Sequence, residues 1–167
     1  MISNNQFTAT KELVYIKCDL EITQIQKQEE SAAYEAYTFK LNNQKIVFRA
    51  AKITPTKIGQ FVTLWKRIEN GPTQPYNSTD DIDFFIVSVC KDENFGQFVF
   101  PKHVLVEKDI VAKDTIGGKR GIRVYPPWDI TDSKQAQRTQ NWQLNYFLTV
   151  PKDGLVDFSQ VKALYLL

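Results

Sequence analysis

Three residues of this 167-residue chain are placed where they could hydrolyse a phosphodiester together. Lys52 falls at the end of a predicted strand, Glu35 lies diagonal to it on the preceding strand, and Asp83 opens a third. Restriction-type nucleases use an Asp on one strand and a (D/E)xK pair on the next to hold a divalent metal and orient a water. In that pattern an acid stands two residues before the lysine, and here that position is Ala50. Cross-strand geometry offers Glu35 as a substitute. The catalytic candidates are therefore Lys52, Glu35 and Asp83, with Mg²⁺ as the cofactor if the protein is an enzyme. A plain Glu35–Lys52 ion pair at a sheet edge explains the same two residues without any catalysis. His103 is the single histidine, which leaves His-based metal sites and Ser-His-Asp triads little support.

Charge gives a second kind of chemistry. The formal net charge is only +2, yet residues 36–68 carry +7 with no acidic residue, and residues 115–143 carry +3. Residues 69–114 carry −5 and residues 1–35 carry −3. Local positive fields on a nearly neutral protein point to an anionic partner. Lys and Arg neutralise phosphates and release counterions, and aromatic rings stack on bases. The candidate phosphate contacts are Arg49, Lys57, Lys66, Arg67, Lys119, Arg120 and Arg123, joined by Lys134 and Arg138; Trp65 and Trp128 are the stacking candidates. Gly117-Gly118-Lys119-Arg120-Gly121 is a glycine-flanked loop whose amides could form an anion nest, although it is no Walker A sequence. A hairpin turn, solvated lysines and core tryptophans are the plain structural alternatives.

The elements that must position these residues follow from periodicity. Residues 5–20 show a helical pattern, and the polar run at 21–31 reads as its extension or a loop. Tyr34–Leu41 and Gln44–Ile53 alternate as strands around Asn42-Asn43, a pair suited to a two-residue hairpin. That register pairs Leu41 with Gln44 and Tyr37 with Phe48. Pro55 breaks the second strand. Phe61 to Glu69 alternates again, with Val62, Leu64 and Ile68 on one side and Phe61, Thr63, Trp65 and Arg67 on the other. Ile82–Cys90 is apolar on both faces and reads as a central strand. Strands at 95–100 and 122–125, an amide-rich helix at about 132–148 that starts at Asp132, and a terminal helix at 158–166 complete the order. One α+β domain over 1–167 is expected, its sheet core at about 34–126 largely antiparallel or mixed and flanked by helices.

Several stretches are similar to the MepB family of small bacterial proteins: FRAAKITPTKIGQFVTLWKR (48–67), FGQFVFPK (95–102), GGKRGIRVYPPWD (117–129) and SKQAQRTQNWQLNYF (133–147). The resemblance spans about Glu30 to Phe147. It implies an α+β, nuclease-like, nucleic-acid-associated fold in a cytosolic protein named for an operon with a multidrug exporter, not a pump itself.

The expected function is nucleic-acid binding, DNA or RNA, in a groove lined by residues 45–67 and 117–138. A metal-dependent phosphodiesterase is the enzymatic rival. A module for a small phosphorylated ligand or an acidic protein partner is the third reading. No segment is long and apolar enough for membrane insertion, and the start lacks a secretory signal pattern, so a cytoplasmic location is expected. Cys18 and Cys90 are far apart in the chain and read as reduced thiols.

Overall fold

In the computed structural model, which describes residues 2–167, the N-terminal apolar residues form the short helix α1 (Gln6–Thr10). A π turn over Lys11–Tyr15 continues it, closed by a 2.8 Å bond from Ile16 N to Lys11 O. Phe7, Val14 and Tyr15 are the buried face. The polar run that follows is not a helix extension. Ile22–Lys27 is strand β1, whose Gln24 adopts φ 53° at a bulge. An edge strand needs little apolar content, so its pattern resembles a loop.

The asparagine hairpin forms as its sequence dictates. Asn42 sits at φ 52° and joins β2 (Tyr37–Leu41) to β3 (Gln44–Ala50), with Leu41 opposite Gln44 and Tyr37 opposite Phe48. From Ala51 the chain leaves the main sheet through β4 (Lys52–Ile53), β5 (Gln60–Thr63), β6 (Trp65–Arg67) and β7 (Thr73–Pro75). It returns as β8 (Phe84–Lys91), parallel to β3, and turns back as β9 (Asn94–Pro101). A parallel pair requires such a crossover; this one is built of short strands instead of a helix. Helix α2 (Lys102–Glu107), β10 (Gly121–Val124), α3 (Lys134–Gln143), β11 (Phe147–Thr149) and α4 (Phe158–Leu164) follow.

The main sheet is mixed, in the order β1-β2-β3-β8-β9-β11. Both faces are covered. Ile46, Phe48, Ile86 and Val99 pack with α1 and α4, while Val47, Phe85, Val87 and Phe100 pack toward the smaller sheet β10-β5-β4 and α3. Each large apolar side chain buried there contributes about 1.5–3 kcal/mol, well above the roughly 0–1 kcal/mol of an exposed ion pair. This double coverage makes all of Ile46–Ala50 buried, whichever face a residue points to.

The predicted strand 61–69 is two strands in two sheets, because the chain turns at Leu64, whose N–H goes to Arg120 O at 2.8 Å. Ile68 is exposed rather than inward. Ser133, not Asp132, caps α3, with its Oγ accepting from Ala136 N at 3.1 Å. Strand β11 closes the far edge of the sheet, where the sequence pattern showed only the end of a helix.

Candidate nucleic-acid interface

Strand β5 is the middle strand of the small sheet, and its residues alternate between the core and a groove. Gln60 and Val62 are buried, whereas Phe61 and Thr63 are half-buried on the outer side. Phe61 is the register partner of Lys52 on β4 and of Arg123 on β10. Cross-strand partners share a face, so a lysine, a phenyl ring and an arginine form a row across the sheet. Gly121 makes room for the ring, since a Cβ there would stand 2.6 Å from Phe61 Cζ.

Phe61 and Arg123 form the floor of a concave surface of about 790 Å³. Lys57 on the 54–59 loop, Lys108 after α2 and Lys119 before β10 supply further cations, and α3 forms the opposite wall with Gln135, Thr139 and Trp142. Asp132 is the one acidic residue of the lining among the described residues. The groove continues along α3 past Arg138, Asn141 and Asn145. Lys108 Nζ lies 5.3 Å from the Trp142 ring centroid, which holds the ammonium over the groove wall.

Internal hydrogen bonds fix these walls. Gln143 Oε1 accepts from Tyr125 N at 2.9 Å while its Nε2 donates to Arg123 O at 3.1 Å. Gln140 Nε2 donates to Pro126 O and Asp129 O, both at 2.9 Å. The buried Gln143 ties α3 to the end of β10, and the half-buried Gln140 ties it to the segment that follows. Arg123 Nη1 donates to Ile58 O and Gly59 O at 3.3 Å, which holds the 54–59 loop against the sheet.

A family profile described as MepB-like matches residues 28–149. The chain belongs to the MepB-like family. A crystal structure of MepB is 36% identical, covers 87% of this chain and 96% of its own, and superposes with a TM-score of 0.75. A bacterial homing endonuclease is 17% identical, with 84% and 87% of the two chains covered and a TM-score of 0.48. Among curated proteins none matches.

Within this MepB-like fold the sequence candidates divide. Lys57, Lys119, Arg123 and Arg138 line the groove, with Lys52 at its margin. Arg49 does not. It is 0% exposed on the central strand β3, donating to Phe48 O at 2.9 Å, Trp65 O at 3.4 Å and Tyr76 Oη at 3.2 Å. A buried guanidinium cannot meet a phosphate, and counting charge along the chain could not reveal that both faces of β3 are covered. Lys66 is held by Asp80 at 2.5 Å, and Lys45 pairs with Asp81. Arg67 donates to Gly71 O and Arg120 to Thr73 O, both on the β6–β7 side and outside the groove lining. Lys134 is exposed but also outside the lining.

Neither stacking candidate, Trp65 nor Trp128, lines the groove; the tryptophan that does is Trp142 on α3. Trp65 is half-buried in the β6–β7 ribbon, and Trp128 packs edge-on against Phe147 with centroids 5.9 Å apart. Phe61 takes the aromatic place instead. Lys108 escapes a reading by charge because Glu107 and Asp109 flank it and its segment is acidic overall. The glycine loop is not an open nest: Gly118 N donates to Asp109 Oδ1 at 3.0 Å and Lys119 N to Ile110 O at 2.9 Å.

The three catalytic candidates are not brought together. Glu35 accepts from Gln6 N at 3.2 Å and Phe7 N at 3.1 Å, so its carboxylate anchors the first turn of α1. Its predicted ion pair with Lys52 is also absent among the described residues; Lys52 Nζ lies 5.2 Å from the Tyr34 centroid. Asp83 accepts from Lys45 N at 2.8 Å and precedes Phe84, the partner of Ile46, while Ala50 pairs with Ser88. Asp83 is thus roughly 16 Å along the sheet from the level of Ala50, at about 3.3 Å per residue. Among the described residues no group of three or more His, Cys, Asp or Glu could hold a metal ion. Glu35 and Asp83 therefore do not form a joint carboxylate site for Mg²⁺ beside Lys52.

Cys18 and Cys90 are free, and burial pushes both thiols above the usual cysteine value. No helix among the described residues is long and apolar enough to cross a membrane.

Proposed function

We propose that this protein binds nucleic acid along the groove between the small sheet and α3. The observation that carries this reading is the meeting of Lys57, Lys119 and Arg123, from two distant segments, around Phe61 in one concave surface. A surface with five cations along its length and a ring on its floor suits a polyanion whose bases can stack. Each stacked base contributes about 1–3 kcal/mol, with little dependence on sequence. The amide side chains Gln135 and Asn141 on the facing helix and Asn145 on the turn after it add donors and acceptors that a bare phosphate site would not need.

The test is a salt titration of binding to DNA and RNA oligonucleotides, single- and double-stranded. Affinity that falls log-linearly with salt, and falls further when Lys57 and Lys119 are both replaced by Gln, supports the reading. No binding at low salt overturns it. Thermal stabilisation by a phosphorylated metabolite or an acidic protein but not by any oligonucleotide would assign the same surface to those partners.

A further inference from the structure

A second cavity lies on the other side of the 54–59 loop. It encloses about 510 Å³, a volume within the roughly 300–1,000 Å³ of small-molecule sites. Lys57 lines both this cavity and the groove. The lip is apolar, with Ile53 and Ile130 exposed to solvent although both are large hydrophobic residues. Behind the lining lie buried polar atoms with no partner among the described residues. Gln60, 1% exposed, donates from Nε2 to Cys90 O at 3.3 Å, but its Oε1 has no partner among the described residues. Thr54 Oγ1 and Trp128 Nε1 are likewise buried and without a partner among the described residues.

Asp129 lines the same cavity. Its side chain is 10% exposed, and the one charged group near its carboxylate among the described residues is Lys91 Nζ, 3.8 Å from Oδ1. A carboxylate this enclosed is acceptor-only and calls for N–H donors. Lys57 and Lys91 on the lining oppose a cationic ligand, so the donors should be neutral. Among the nucleobases, guanine is the one whose Watson–Crick edge carries two adjacent neutral N–H groups for a carboxylate. Adenine and cytosine pair one donor with a ring acceptor on that edge, and uracil offers a single N–H between two carbonyls.

We infer that the cavity between the 54–59 loop and Trp128-Asp129 takes a guanine base, with Asp129 accepting from its Watson–Crick edge. The base would belong to a nucleotide whose phosphate is held by Lys57 on the shared loop. This inference rests in part on the nucleic-acid reading of the groove, but the free nucleoside isolates the cavity from it.

The experiment is calorimetric titration of the full chain with guanosine, adenosine, cytidine and uridine, beside an oligothymidylate that has no guanine. Guanosine should bind at least tenfold more tightly than the other three. Asp129→Asn should remove most of that preference and leave oligothymidylate binding unchanged. Ile130→Ser, which removes part of the exposed apolar lip, should weaken guanosine to a smaller degree and gives a second, independent readout of the cavity. Guanosine bound no better than adenosine, or a preference untouched by both substitutions, overturns the inference. Oligothymidylate binding without guanosine binding leaves the groove standing and removes the cavity; the reverse removes the groove and keeps the cavity.

Discussion

Lys52 and Arg123, far apart in the chain, are both register partners of Phe61, one on each side of β5. The ring is therefore the point where two basic segments meet. Phe61 is half-buried, packed over Gly121 and edge-on to Tyr34 at 6.3 Å, so its removal should lower the melting temperature modestly while leaving the protein folded. Phe61→Ala should weaken oligonucleotide binding by about 1–3 kcal/mol, the value of one stacked base. Fluorescence anisotropy with a labelled oligonucleotide, beside a thermal melt, checks both statements. An unchanged affinity would take the ring out of the interface.

The cations sort by their surroundings. Lys57→Gln, Lys119→Gln and Arg138→Gln should each reduce the slope of log affinity against log salt by roughly 0.7 for a single strand or 0.9 for a duplex. Lys45→Gln and Lys66→Gln should leave it unchanged, since Asp81 and Asp80 already hold those ammonium groups. Equal effects from all five would mean that the field as a whole, and not the groove, attracts the ligand.

Arg49 should behave as a core residue. Arg49→Ala removes the donor to Trp65 O and Tyr76 Oη and leaves a void on the central strand. The cost is about 3 kcal/mol or more, which lowers the melting temperature by roughly 6–12 °C at this chain length. The folded fraction should keep its oligonucleotide affinity. A stable variant with weakened binding would reverse this assignment.

That contrast shows what the sequence can and cannot reveal. The Asn42-Asn43 hairpin is legible because turn chemistry and alternation agree, and its register follows from them. Strand β8 is legible because a short run that is apolar on both faces suits a strand covered on both sides. Arg49 is not, because alternation assigns a residue to a face without telling whether that face is covered, and here the crossover through β4–β7 covers it. The groove is half legible. Its β10 and α3 cations stand out in the sequence, but most charges of residues 36–68 turn elsewhere, and Lys108 comes from an acidic segment.

Burial raises the Asp129 carboxyl above the usual carboxylate range, against the lowering pull of Lys91. A raised folded-state value means that the folded protein binds this proton more tightly than the unfolded chain. The charged form is thus destabilising above the folded-state value, and the penalty disappears below the unfolded value. Asp129→Asn should therefore stabilise the protein at neutral pH, with a gain that begins to shrink as pH falls through the raised value and is gone below the unfolded one. Melting temperatures of both proteins across acid pH test this. A gain that instead grows on acidification would contradict the sign.

Gly59 combines a positive φ of 82° with close approach: a Cβ there would lie 2.7 Å from Val124 O and 2.8 Å from Tyr125 Cδ1. Any side chain must strain the backbone, at about 1–2 kcal/mol, and also push on the end of β10. The carbonyls of Ile58 and Gly59 are the acceptors of Arg123 Nη1, so displacement of the loop should release that guanidinium and move Lys57 with it. Gly59→Ala should thus lower stability by about 2–3 kcal/mol and reduce oligonucleotide affinity together. Gly154→Ala supplies the comparison, because Gly154 also has a positive φ, 74°, and its Cβ would meet Lys17 Nζ at 2.8 Å, beside the N-terminal helical segment and outside both cavities. It should destabilise the fold while the folded fraction binds normally. Loss of affinity in both variants would trace the effect to general loosening, whereas loss in Gly59→Ala alone ties the 54–59 loop to the ligand.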